Sequence, residues 1–302
     1  MNAKPGSPLT ADGLSTLPWR VLAAVVASLH VSRMATLGRA LGWLVGSVLR
    51  IRRKHVVAAM RDAGLEASAA RTNGVYAQLG TGVFELLWAA GHEPSRSVSL
   101  VRVDGWEQVE RALAKGRGLV VATAHTGNWD LAACAMAQRL PLTVVTKHLS
   151  WRSLDRFWQS LRAARGVDLV DASGALTEAR DRLGKGGAVV FLVDQAPLRA
   201  SGVETFPFLG KVADHDATFA IVAARHRAPV VLALPVRHAD GTHAVRVELV
   251  VDPPQRGTKA WVRSTVEAVS KGLEGFVRER PEQWLWLHRR WRRSGDPGSL
   301  PS

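Results

Sequence analysis

VVATAHTGNWDLAACAM, residues 120–136, changes character in its middle. Val120–Ala124 is an unbroken apolar run, the pattern of a strand buried on both faces, and from Trp129 the sequence reads as an apolar helix. Between them the chain must turn. Gly127 lacks a Cβ and permits a sharp turn, and Asn128 is a good N-cap, which puts Asp130 in the first helical turn. A buried strand feeding directly into a helix is a building unit of a parallel α/β sheet.

The same alternation runs through the rest of the chain. Strands are predicted at 99–103, 118–124, 142–146, 167–170, 188–194, 229–237 and 244–251, and helices at 106–115, 129–139, 152–164, 174–184, 214–226 and 258–279. This predicts an α/β fold with a largely parallel central sheet flanked by helices. The last two strands, joined through HADGT (238–242), read as an antiparallel hairpin at one edge. Residues 1–17, rich in Pro, Gly and Ser, and residues 294–302 read as loose tails around an α/β domain at 57–293.

Residues 18–56 form a separate apolar helical segment. VLAAVVASL (21–29) is too short to span a bilayer, and His30, Arg33 and Arg39 interrupt any longer window. Gly38, Gly42 and Gly46 make a small-residue stripe that another helix could approach closely, and RIRRKH (50–55) follows. Two readings stay open: a membrane-associating segment lying in the lipid interface, or a helical hairpin capping a soluble domain.

The 302 residues are 47% hydrophobic and 22% charged, enough to build a core. The single cysteine, Cys134, excludes an intrachain disulfide and a cysteine-based zinc site. Forty Lys and Arg against 26 Asp and Glu give a net charge of +14, which favours an anionic partner: nucleic acid, an acidic lipid surface or an acidic carrier protein. Eleven Trp against one Tyr favour a site where an apolar body sits beside polar headgroups. Nucleic-acid binding is disfavoured, because the cations are scattered between core elements rather than gathered in a stripe.

In a continuous helix His125 and Asp130 would point about 140° apart. With the turn between them, Asp130 can reach back to His125, accept its Nδ1 proton and leave Nε2 free as a general base. The alternative is that Asp130 complements the helix dipole and His125 is a hydrogen-bonded loop residue. No protein nucleophile accompanies the pair. DASGA (171–175) lacks the first glycine of a GxSxG elbow, Cys134 reads as a small core residue, and there is no Walker loop or HExxH. A His–acid pair without a nucleophile suits direct attack of a substrate hydroxyl on an activated acyl group such as a thioester, with backbone N–H groups near the turn holding the oxyanion.

HTGNWD (125–130), VDQ (193–195), ETFPFLGK (204–211) and PEQWLWLHRRWRR (281–293) occur in that order. With these motifs the chain resembles, over roughly residues 18–293, the bacterial lipid A late acyltransferases (lauroyl and myristoyl type) of the glycerolipid and lysophospholipid acyltransferase superfamily. It departs from them in carrying Asp130 where glutamate is usual and ADHDAT (213–218) where a threonine run is expected. GVETFPFLG (202–210) also resembles the phosphatidylinositol mannoside acyltransferases, a sister group.

The resemblance implies a membrane-associated O-acyltransferase. It would move a fatty acyl group from acyl carrier protein or CoA to a hydroxyl of a glycolipid such as a lipid A precursor, or alternatively of a phosphatidylinositol mannoside or other lysolipid. It implies His125 as general base, Asp130 as its orienting partner and Glu204 as a further acid beside them. Asn128, Asp194 and Gln195 would line the site. Arg162 and Arg165 would clamp a phosphate, or form a solvated helix face. Phe206 and Phe208 would line an acyl groove, or pack in the core. Trp284, Trp286 and Trp291 with Arg289, Arg290, Arg292 and Arg293 would form an interfacial edge, or a core-packed C-terminal helix. Anionic lipids and the glycolipid acceptor are the implied partners, with no nucleic acid and no cofactor beyond the thioester co-substrate. The implied location is the cytoplasmic face of the inner membrane, held peripherally or by one N-terminal anchor.

Overall fold

The computed structural model describes residues 11–146, 148–171, 174–197, 201–253 and 255–291. The described residues form nine strands: β1 (Val101–Asp104), β2 (Leu119–Thr123), β3 (Leu142–Thr146), β4 (Val167–Asp171), β5 (Ala188–Leu192), β6 (Val203–Phe208), β7 (Lys211–Asp216), β8 (Val230–Arg237) and β9 (His243–Val251). Seven of them form one sheet in the order β1-β9-β8-β2-β5-β3-β4, and β6 and β7 form a separate hairpin. Every neighbouring pair in the large sheet is parallel except β8–β9.

The helices are α1 (Ala11–Ala27), α2 (Arg33–Trp43), α3 (Arg53–Asp62), α4 (Ala69–Ala90), α5 (Pro94–Val98), α6 (Trp106–Leu113), α7 (Trp129–Ala137), α8 (Arg152–Ala163), α9 (Ala175–Gly184), α10 (Thr218–His226) and α11 (Lys259–Glu279). Alternation along the strands feeds two cores. Val120, Ala122, Val230 and Leu232 pack on one face with Phe219 of α10 and Val269 and Leu273 of α11. Leu119, Val121, Val190 and Val231 pack on the other with Leu131 and Ala135 of α7. Each such Val or Leu contributes about 1.5–3 kcal/mol by burial. A strand buried on both faces reads as the continuous apolar run that the sequence displays at 118–124.

Three expectations are corrected. The β8–β9 hairpin is not at the edge, because β1 pairs in parallel outside β9. Residues 11–17 are helical, not a loose tail, and form the first turns of α1. Helix α1 is tied to α8 by bonds from Trp19 Nε1 to Ser153 Oγ and from Arg156 to Ser15 Oγ. Residues 214–216 belong to β7 rather than to a helix, and the hairpin was hidden because its two-residue turn is Leu209-Gly210. Both have positive φ, 50° and 82°, and leucine gives no turn signal at such a position. The calls for residues 1–10 and 294–302 and for Ala172 and Ser173 lie outside the described residues.

The glycine stripe of α2 does lie against another helix. A Cβ on Gly38 would stand 2.3 Å from Thr81 backbone atoms, and one on Gly42 2.5 Å from the Tyr76 carbonyl oxygen, both on α4. Among the described residues no helix is long and apolar enough to cross a membrane. Leu14, Leu17, Val21, Leu22 and Val25 of α1 are exposed, as are Trp43, Leu44, Val48, Leu49 and Ile51 after α2. Exposed Trp151 stands edge-on to Trp19 of α1 at 4.9 Å.

Candidate active site

The site lies where β2 and β5 end side by side. Thr123 is in register with Leu192, so two residues further His125 and Asp194 leave the sheet together. This is the carboxyl edge of the parallel strands, where open α/β sheets hold their ligands. Asp194 Oδ1 lies 2.9 Å from His125 Nδ1, and Asp194 Oδ2 accepts from the His125 backbone N–H at 3.2 Å and from Trp284 Nε1 at 3.0 Å. Burial pushes the Asp194 carboxyl upward. The His125 charge and the hydrogen bonds from His125 and Trp284 outweigh it and hold the carboxyl at about 2. The ionised carboxylate therefore accepts the hydrogen bond from Nδ1–H and fixes the tautomer, leaving Nε2 as the basic nitrogen. The His125 side chain is 17% exposed, against 1% for Asp194.

The turn is shaped as the sequence requires. Gly127 has φ +51°, and a Cβ there would lie 2.8 Å from the Pro235 carbonyl oxygen. Asn128 caps α7 by accepting from Leu131 N–H at 3.2 Å, and its amide donates to Glu85 Oε2 at 2.8 Å. The C-terminal segment clamps the other side: Gly127 N–H donates to Gln283, Leu285 N–H donates to His125, and Thr126 bridges to Trp284.

Asp130 is not the partner of His125 Nδ1. Its Oδ1 is forked by Arg162, at 2.7 Å from Nε and 2.5 Å from Nη2, and its buried Oδ2 has no hydrogen-bond partner among the described residues. The reason is the first turn of α7, which turns the carboxylate toward α8, where the guanidinium waits. Arg165 does not join Arg162 in a clamp. It lies beyond the end of α8, buried, and bonds Ser97 Oγ and the carbonyls of Ala89, His92 and Leu161. Glu204 pairs with Arg263 of α11 at 3.1 Å rather than joining His125. Phe208 is fully buried, and Phe206 stacks on buried His215 at 3.8 Å, so both pack with the core. Trp284, Trp286 and Arg290 are buried too and Trp291 is half-buried, so these packed residues do not form an interfacial edge, whereas Arg289 is exposed and Arg292 and Arg293 lie outside the described residues. Burial and the charge of nearby Asp130 push the Cys134 thiol up to about 12, which leaves it inert.

Gln195 is at the site: its Nε2 stands 2.8 Å from His288 Nε2 and 3.4 Å from each ring nitrogen of His125. His288, whose ring is 5.5 Å from that of His125, was not singled out in the sequence although it sits in the C-terminal motif. Nor was the buried network beneath the turn. Arg237 forks Glu85 at 2.8 and 2.6 Å, and His243 lies 3.3 Å from the same carboxylate. Burial raises Glu85, but Arg237 and His243 outweigh it and hold it at about 2. Its one signal was an acid inside the apolar run VFELLW (83–88).

The chain is similar to several known proteins. Phosphatidylinositol mannoside acyltransferases are 32% identical over 107 residues in Mycobacterium tuberculosis (strain ATCC 25618 / H37Rv), covering 34% of each chain, and 38% identical over 64 residues in Mycolicibacterium smegmatis, covering 21% of each. The aligned part thus spans about a third or less of the length of these relatives. The crystal structure of the 1-acyl-sn-glycerophosphate acyltransferase from Thermotoga maritima aligns with 82% of this chain and 98% of its own, at 15% identity and a TM-score of 0.39. The family model described as bacterial lipid A biosynthesis acyltransferase matches residues 16–293, nearly the whole chain. The chain belongs to the bacterial lipid A biosynthesis acyltransferase family.

Proposed function

We propose that this chain transfers a fatty acyl group from an acyl thioester, on acyl carrier protein or CoA, to a hydroxyl of a glycolipid at a membrane surface. The observation that carries the reading is His125, partly exposed at the sheet edge with Nδ1 held by Asp194 at 2.9 Å. The acceptor hydroxyl gives its proton to His125 Nε2 as its oxygen bonds to the thioester carbonyl carbon. The tetrahedral intermediate then collapses, the C–S bond breaks with its electron pair on sulfur, and the imidazolium returns the proton to the thiolate. Asp194 stays ionised throughout and stabilises the imidazolium. No enzyme nucleophile is needed, in keeping with the inert Cys134.

The exposed apolar residues of α1 and of Trp43–Ile51, beside Arg50 and Arg52, support docking on an anionic bilayer without crossing it, at the cytoplasmic face of the inner membrane where thioester donors reside. Two acceptors are in play. The family model favours a lipid A precursor, whereas the mycobacterial relatives favour a phosphatidylinositol mannoside. Purified protein should be incubated with labelled acyl carrier protein or acyl-CoA and each acceptor in turn, and the product identified by mass spectrometry. One acceptor is expected to gain a single acyl ester, and His125→Ala to lose at least about 10²-fold in rate. Undiminished transfer by His125→Ala would overturn the mechanism.

A further inference from the structure

The contact between Gln195 and His288 has a definite polarity. An amide nitrogen can only donate, so at 2.8 Å Gln195 Nε2–H donates to His288 Nε2, which is then an unprotonated ring nitrogen. One of the two amide hydrogens is used in this way. The second is directed to the His125 side, where Nε2 of the amide stands 3.4 Å from both ring nitrogens. His125 Nδ1 is committed to Asp194, so Nε2 is the acceptor left to the amide in that ring, at a long 3.4 Å. This hydrogen is therefore held beside His125 Nε2, where the hydroxyl must meet the thioester, and it loses its acceptor when Nε2 takes the hydroxyl proton.

We propose that the Gln195 side-chain amide is an oxyanion donor of the transfer reaction, and that His288 is the positioning residue that aims it. The inference rests on the acyl-transfer reading given above. As the hydroxyl oxygen bonds to the carbonyl carbon and its proton passes to His125 Nε2, the C=O π pair moves onto the carbonyl oxygen, which accepts from the Gln195 N–H that protonated Nε2 can no longer receive. When the carbonyl reforms, that pair returns and the C–S pair leaves with sulfur. Gln195 exchanges no proton. Such a donor acts only if it is fixed before charge develops. Here the backbone on either side is pinned. Gln195 follows Asp194, which is triply bonded. The segment carrying His288 is held by Arg52 to the Leu287 carbonyl at 2.9 Å, by His55 Nε2 to the His288 carbonyl at 3.0 Å, and by Leu285 N–H to the His125 carbonyl.

The test uses the full chain, palmitoyl-CoA and whichever of the two glycolipids the wild type acylates, with melting temperatures recorded for every variant. His125→Ala calibrates the reading itself: if it is fully active, the general-base mechanism fails, whatever Gln195 does. Gln195→Met keeps length without a donor, and Gln195→Glu keeps shape but presents acceptors. Each is expected to lower kcat about 10²–10³-fold with KM nearly unchanged. His288→Ala is expected to lower kcat less, to add no loss on the Gln195→Met background because it acts through the amide, and to be partly rescued by His288→Gln, whose amide oxygen can accept. Unchanged kcat with raised KM in both Gln195 variants would reduce the amide to a wall of the site. Independent, multiplicative losses for His288→Ala and Gln195→Met would overturn the positioning role.

Discussion

At the scale of single residues, Glu85 shows how a buried charge serves the site without touching substrate. It holds the Asn128 amide on one side and the Arg237 fork on the other, so the HTGNWD turn rests on an ion pair. Replacing Glu85 by Gln leaves Arg237 uncompensated in the interior and should cost about 3–5 kcal/mol, measured by urea unfolding near neutral pH. Glu85 and Asp194, both held at about 2, sit below the ordinary carboxylate range of about 4. Their stabilisation is fully present above about pH 4 and is lost as pH falls through about 2. The urea midpoint should therefore fall from about pH 5 downward, and Glu85→Gln should flatten that fall. An unaltered slope in the variant would remove Glu85 from the linkage. The sequence singled out His125, Asn128, Asp194 and Gln195, and the fold brings them together at one sheet edge. The exchange of Asp130 for Asp194 was not legible there, because it depends on β2 pairing with β5, and strands 65 or more residues apart declare no register in sequence.

At the scale of elements, runs of period two and of unbroken apolar character disclosed all seven strands of the large sheet. What they could not disclose was order. β1 adds outside β9, so a hairpin that looked peripheral became internal. The β6–β7 hairpin escaped because its turn uses Leu209 rather than Asn or Gly. The α2–α4 contact was readable from glycine spacing and is the most exacting packing in the N-terminal region, since side chains there would meet backbone. Gly42→Val should destabilise the fold by about 1–3 kcal/mol or more through forced separation of the helices. A melting temperature within a degree or so of wild type would show that α2 and α4 can part without loss.

For the molecule as a whole, the candidate catalytic edge and the exposed apolar surface are joined by short links. Tyr76 Oη donates to the Ile51 carbonyl, and Arg52 reaches the C-terminal segment that carries His288. A bilayer met by Leu49 and Ile51 would thus lie close to the place where His125 works. Sedimentation with vesicles should show binding to anionic phosphatidylglycerol-containing membranes that weakens with salt and drops at least several-fold in Leu49→Ser/Ile51→Ser. Equal binding of the double variant would move the docking surface elsewhere. The apolar segment and its basic end were visible in sequence; that the helices lie beside the sheet rather than spanning a membrane needed their lengths. The central proposal is that one imidazole works against a thioester, and the rate of acyl transfer by Asp194→Asn tests that most directly. With the amide oxygen held by the His125 backbone N–H and Trp284 Nε1–H, its NH2 faces Nδ1 and favours the wrong tautomer, so kcat should fall by about 10³–10⁴-fold while KM holds. A full rate in Asp194→Asn, with activity lost instead in Asp130→Asn, would contradict the assignment of Asp194 to His125.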